Sequence, residues 1–243
     1  MSNTVFESAV RPLVKTNIYS HVDLFVRFLQ SEKSPSRELP IFVGESWPVG
    51  DEPIIYYNCE QLTRNNIAVI LKILRRGVAN DVVEIWDYST ENVSIWTDCG
   101  YPVVRHVPLQ TPDDYVQRLR EFRSTQPILW DVGFCGSIYG ARRKQIFDGL
   151  EEAGLSVRIV RTSGEERDRE LAQCHIMVNI HYASDYKVWE SHRCQAWLDV
   201  GVPVVSEHSL DDHPGCINVP FENLVEECVR QVQLAKKGLS SSH

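Results

Sequence analysis

The chain has 243 residues, 43% hydrophobic and 24% charged, an ordinary composition for a soluble globular protein and enough chain for two domains of about 110 to 120 residues. A net charge of −8 argues against direct nucleic-acid binding through clustered phosphate contacts, and the seven cysteines, odd in number and without CxxC spacing, indicate neither a disulfide framework nor a zinc site. No apolar run approaches the ~18 residues of a membrane span and no signal-peptide core opens the sequence, so no membrane span and a cytoplasmic location are expected.

Residues 1 to 17 show no clear period and read as a partly ordered lead-in. From Tyr19 to Gln30, Val22, Phe25, Val26 and Leu29 recur at helical spacing. The loop SEKSPSRELP leads to the short apolar run IFVG, a turn-rich segment, and IIYYNCE, a strand. LTRNNIAVILKILRRG then reads as a helix closed by Gly77, VVEIWDY as a strand, and STENVSIWTDCG as a short helix that Ser89 caps. With VVRHVPL, this alternation implies a parallel sheet with helices packed on it. The charged segment TPDDYVQRLREFRSTQP joins two halves, 1–112 and 113–243, and holds a short helix capped by Thr111 or Asp113.

A second sheet is expected to start at Ile128. DVGFCGSIYGARRKQIFDGLEEAGLSVRIV reads as strand, loop, helix, strand, with Gly136, Ser137 and Gly140 in the loop and Arg142, Arg143 and Lys144 in the first helical turn. Cations placed against the helix dipole point to an anionic ligand such as phosphate, or else to a solvated basic face. HIMVNIHYASDYKVWESHRCQAWLDVGVPVVSE gives an apolar strand ending in Asn179, Ile180, His181 and Tyr182, a loop, a helix of about a dozen residues and a further strand. Glu190 falls in the first turn of that helix, with Arg193 and Trp197 on the same face. Polar residues at the carboxyl ends of parallel strands stand where such sheets bind ligands. After the loop HSLDDHPGC come INV and a final amphipathic helix, FENLVEECVRQVQLAKKG, and a disordered tail, GLSSSH.

Seven phrases in order, YNCEQL at 57–62, IWDYSTEN at 85–92, GSIYGARRKQI at 136–146, GEE at 164–166, NIHY at 179–182, WESHR at 189–193 and VVSE at 204–207, resemble the short glycosyltransferase-like proteins related to the spore-maturation-type glycosyltransferase domain. The resemblance implies a GT-B-like α/β fold: two Rossmann-like domains whose parallel sheets face each other across a cleft, with a reduced, acceptor-binding N-terminal domain. It implies transfer of a sugar from a nucleotide diphosphate donor to a glycan or other hydroxyl acceptor, with the nucleotide sugar as co-substrate and neither a cofactor nor a metal. On it, Glu190 accepts hydrogen bonds from the ribose hydroxyls, and Ser137, Arg142 and Arg143 cradle the diphosphate, since a carboxylate suits a vicinal diol and a guanidinium fork suits phosphate. Asn179, Tyr182 and Arg193 complete the donor-binding set. Many retaining relatives carry a second glutamate where this chain has Tyr182, with His181 beside it as a catalytic candidate. Glu60 and Asp87, each ending a strand of the first half, are candidates for the base that deprotonates the acceptor, or alternatively for helix caps. The alternative reading is a catalytically degenerate protein of the same fold that binds a nucleotide sugar or a protein partner. A metal site drawn from His208, Asp211, Asp212 and His213 lacks helical ligand spacing.

Overall fold

The computed structural model describes residues 14–16, 23–31, 39, 41–43, 53–63, 66–67 and 82–238. Within them the chain is α/β and builds two five-stranded sheets in which every pairing is parallel. The first holds β1 (Val14–Thr16), β2 (Ile41–Val43), β3 (Ile54–Asn58), β4 (Val82–Asp87) and β5 (Val104–His106) side by side in chain order, with helices α1 (Asp23–Gln30) and α2 (Thr90–Asp98) in the connections. All five residues of β3 are buried, as expected of a central parallel strand covered on both faces.

Helix α3 (Asp113–Thr125) links this sheet to the second one. The second comprises β6 (Trp130–Cys135), α4 (Ala141–Glu152), β7 (Val157–Val160), α5 (Gly164–Leu171), β8 (Cys174–Asn179), α6 (Ser191–Asp199), β9 (Val204–Glu207), β10 (Ile217–Val219) and α7 (Leu224–Lys236). Its strand order is β7-β6-β8-β9-β10, so the chain winds one way from β6 to β7 and the other way from β8 onward. The reversal leaves a crevice beyond the carboxyl ends of β6 and β8, the position where Rossmann-like sheets take ligands. Gly133 of β6 leaves room for the side chains of Met177 and Cys174 on β8; a Cβ there would lie 2.7 Å from Met177 Sδ and 2.9 Å from Cys174 Sγ.

The apolar residues fall into layers around these sheets. Leu24, Phe25, Phe28 and Leu29 of α1 join Tyr57 and Trp86 of the first sheet, Tyr88 just after β4, Tyr115 and Leu119 of α3, and Cys194, Ala196 and Trp197 of α6 in one continuous cluster. A second cluster sits on the opposite face of the second sheet, where Ile146, Phe147 and Leu150 of α4 meet Leu224, Cys228 and Val232 of α7. The final helix is therefore amphipathic through the residues its period marks.

Several boundaries differ from the sequence reading. Residues 14–16, within the segment read as a lead-in, form β1 and pair with β2, so the described part of the first sheet has as many strands as the second. Three residues are too few to show a period; pairing, not pattern, makes them a strand. Helix α5 has no counterpart in the reading, since its buried residues are Arg167, Asp168 and Leu171 and two of the three are charged. Glu190 is the residue before α6 rather than in its first turn, and α3 starts after Pro112 with no side-chain cap, so neither Thr111 nor Asp113 has that role. Ser89 does cap α2, accepting the N–H groups of Glu91 at 3.1 Å and Asn92 at 3.4 Å. The helix expected up to Gly77 lies, beyond Ile67, outside the described residues, as do the other residues of the N-terminal lead-in and the tail after Gly238. All seven cysteines are free thiols. No helix among the described residues is long and apolar enough to cross a membrane.

Candidate functional site

A cavity of about 500 Å³ opens at the crevice beyond β6 and β8 and extends between α5 and α6. Its wall is drawn from both sheets: Glu60 and Gln61 follow β3, Cys135, Gly136 and Ser137 end β6, and Arg143, Glu190 and Arg193 come from the two helix starts. Gly136 has φ +143°, a conformation that side chains rarely adopt, and a Cβ there would stand 3.2 Å from the Arg193 guanidinium. Glycine at this position therefore lets the β6 turn run directly over Arg193.

Two guanidiniums dominate the wall. Arg143 is buried; its Nε and Nη2 donate to the Ile180 carbonyl at 3.0 and 2.8 Å, and its Nη1 donates to the Ser137 carbonyl at 2.7 Å. The rings of Phe134 and Tyr182 flank it, with centroids 5.2 and 5.4 Å from its central carbon. Arg193 donates through Nε to the Cys135 carbonyl and through Nη1 to Asn179 Oδ1, both at 2.7 Å. Asn179 is fully buried and also donates to Ser206 Oγ at 3.0 Å, so it orients Arg193 from behind rather than lining the cavity. Burial, and then the like charge of Arg193, push the Arg143 pKa down to about 9 despite Glu190 nearby. Neutral carbonyls thus hold two neighbouring cations in fixed forks, an arrangement that an incoming anion would stabilise.

Glu190 supplies the negative counterpart. It is buried, its Oε1 accepts from Gln61 Nε2 and lies 4.0 Å from Arg193 Nη2, and its Oε2 is 3.3 Å from His192 Nδ1. Burial acts to raise its pKa, but Arg193, His192 and Arg143 outweigh it and hold the carboxyl down at about 2. The group is an ionised acceptor across the whole physiological range. Tyr182 lines the same cavity, half exposed, edge-on to Tyr186 at 5.9 Å between centroids.

The structure gathers Glu60, Ser137, Arg143, Tyr182, Glu190 and Arg193 around this one space and sets four other predicted residues apart. Arg142 turns the other way, pairs with Glu207 and lies over the Phe221 ring at 3.8 Å, lining a separate cleft of about 370 Å³. His181 faces that second cleft; its backbone N–H donates to Glu207 Oε2 at 3.1 Å, its Nε2 is 3.1 Å from the His208 carbonyl, and burial lowers its pKa. Asp87 is fully buried behind the cavity, where it accepts from Asn58, Ser89, Asn92 and Trp96 at 2.7 to 3.0 Å. Burial pushes its pKa up to about 7 against those four bonds. Every partner is a donor, so the pocket suits a structural carboxylate that ties β3, β4 and α2 together. Asn179 stands behind Arg193, as above. Of the supposed metal ligands, His208 and Asp212 pair with each other at 2.6 Å, while Asp211 bonds Ser89 and the Trp189 N–H.

Five residues of the wall, Tyr115, Arg167, Asp168, Gln61 and His192, have no role in the sequence reading. Tyr115 donates to Asp168 Oδ2 at 2.8 Å, and Arg167 donates to Asp168 Oδ1 and to the Tyr115 hydroxyl, closing the far end of the cavity with a charged, hydrogen-bonded trio. Gln61 and His192 lie inside the phrases YNCEQL and WESHR, and Arg167 directly follows GEE, so their positions were marked although their roles were not.

No family model matches the chain. The chain is similar to several uncharacterized proteins of Acanthamoeba polyphaga mimivirus. One is 38% identical over 173 residues, covering 70% of this chain and 22% of the relative. Another is 32% identical over 204 residues, covering 77% of this chain and 65% of the relative. A third is 33% identical over 187 residues, covering 73% of this chain and 20% of the relative. The chain therefore spans less than two thirds of the length of each of these relatives.

Proposed function

We infer that the protein is a glycosyltransferase of GT-B type that moves a sugar from a nucleoside diphosphate to a hydroxyl acceptor. The observation that carries this reading is the meeting of Arg143, Arg193 and Glu190 in one cavity at the reversal point of the second sheet. Two guanidinium forks fit the diphosphate, and a permanently ionised carboxylate fits the two ribose hydroxyls. In the transfer step the acceptor oxygen bonds to the anomeric carbon, the bond from that carbon to the diphosphate breaks, and the diphosphate leaves with the electron pair. Arg143 and Arg193 stabilise the charge that develops on the leaving phosphate without needing a proton, as positioned cations do in a site sheltered from water. Of the two carboxylates considered as base, only Glu60 lies in the cavity wall, so acceptance of the acceptor proton falls to Glu60.

One observation favours a second reading, binding without turnover. Tyr182 places an aromatic ring, not a second carboxylate, beside Arg143 in the cavity. Incubation with UDP-, GDP- and ADP-sugars separates the two readings. Release of nucleoside diphosphate, lost in Glu60→Gln, is the expected result; tight binding of a nucleotide sugar with no release at any acceptor concentration overturns the enzyme and leaves the binding protein.

A further inference from the structure

The carboxylate assigned to the ribose is already engaged from the other sheet. Gln61 follows β3 of the first sheet and is 4% exposed, and its Nε2 donates to Glu190 Oε1 while its Oε1 accepts the Val188 N–H at 3.4 Å. The next N–H, of Trp189, goes at 2.7 Å to Asp211 Oδ1, and Asp211 Oδ2 accepts the hydroxyl of Ser89, again from the first-sheet half, at 2.6 Å. The three residues that lead into α6 are therefore fastened to the first sheet, and Gln61 fastens the one that faces the ligand.

We propose that Gln61 is a positioning residue that competes with the ligand for Glu190 and so couples ligand binding to the seating of segment 188–190 on the first sheet. This rests on the assignment of Glu190 to a ribose diol. The Gln61 amide N–H takes up Oε1, one of the two oxygens that Glu190 could offer a diol, and Gln61 and Glu190 line the same cavity. In this proposal a hydroxyl that reaches Oε1 from the cavity contends with the amide for the same lone pair, and when the amide gives way the side chain also leaves the buried Val188 N–H without its acceptor. The two events are linked, so weakening the Gln61 contact strengthens the ligand by up to the same factor.

Gln61→Met keeps the length and apolar volume of the side chain and removes both hydrogen-bonding groups, with Gln61→Ala as a second variant. Calorimetric titration uses UDP, GDP and ADP and their 2'-deoxy forms, and hydrogen exchange follows the Val188 amide in the same proteins. The expected result is about tenfold tighter binding of the ribonucleotide by either variant, a smaller gain for its 2'-deoxy form, and faster exchange at Val188. Equal or weaker ribonucleotide binding by the variants overturns the competition while the nucleotide reading stands. Faster exchange at Val188 with no nucleoside diphosphate bound by any of the proteins overturns the nucleotide reading and the competition together.

Discussion

Adjacent arginines in one helical turn have unlike surroundings, and the difference is testable. Arg143 Nη1 and Nη2 are anchored on carbonyls at the cavity wall, whereas Arg142 is paired with Glu207 in another cleft. Arg143→Lys keeps the charge but loses the fork, and should weaken a nucleoside diphosphate by roughly 1.5 to 3 kcal/mol, the range for charge-assisted hydrogen bonds. Arg142→Lys should leave that affinity unchanged in the same calorimetric titration. Glu190 gives a second prediction at this scale. Its carboxyl is held at about 2 against an ordinary value of 4.5, so below the ordinary value the unfolded chain binds more protons than the folded one. The resulting stability is fully present above pH 4.5 and is lost as pH falls toward 2. A shift of that size corresponds to a contribution on the order of 3 kcal/mol. Glu190→Gln should flatten this acid limb in denaturant melts taken across the window. Parallel acid limbs for the two proteins would show that the carboxylate is not held down by its neighbours.

Elements place these residues, and the sequence showed the elements unevenly. Ser89 and its helix were legible because a hydroxyl before an apolar period is a local signal that packing does not alter. The apolar runs of β6 and β8 were legible as strands, whereas their pairing with each other, which brings Ser137, Arg143 and Glu190 to one end of one sheet, has no signal in either run. Helix α5 was illegible because it buries Arg167 and Asp168 against Tyr115 instead of an apolar stripe. The helical period does separate the two arginines, since Arg143 shares a face with the buried Ile146, Phe147 and Leu150 and Arg142 does not, but the partner of Arg142, Glu207, 65 positions away, has no local signal. Asp87 is the clearest case of a strand-end carboxylate whose role only burial reveals. Asp87→Asn would keep one oxygen and set an amide N–H₂ against two of the four donors, either Asn58 and Trp96 or Ser89 and Asn92, and should destabilise the fold by about 2 to 4 kcal/mol, since those buried donors would lose their acceptor. The folded fraction should keep the nucleotide affinity of the parent protein. A loss of affinity with unchanged stability would instead make Asp87 part of the site.

At the scale of the whole molecule the two sheets share one apolar cluster. Phe25 of α1 stands 5.3 Å from the Tyr57 ring and 5.7 Å from His192, bridging the first sheet to the start of α6. An interface of this kind is hydrophobic and continuous with the core, so the two sheets should unfold together. Calorimetry should show one transition with equal calorimetric and van't Hoff enthalpies; two resolved transitions would mean that each sheet is stable alone. The same continuity explains why Gln61, far in sequence from Glu190, sets the environment of the site.

The most direct measurement of the central claim is a calorimetric cycle on the parent protein and Glu190→Gln with a ribonucleoside diphosphate and its 2'-deoxy form. The substitution should weaken the ribonucleotide by about 1 to 3 kcal/mol and the 2'-deoxy nucleotide by distinctly less, because one of the two hydroxyl bonds is then absent in both proteins. Equal losses for the two ligands would contradict the assignment of Glu190 to the ribose, and with it the nucleotide site between Arg143 and Arg193.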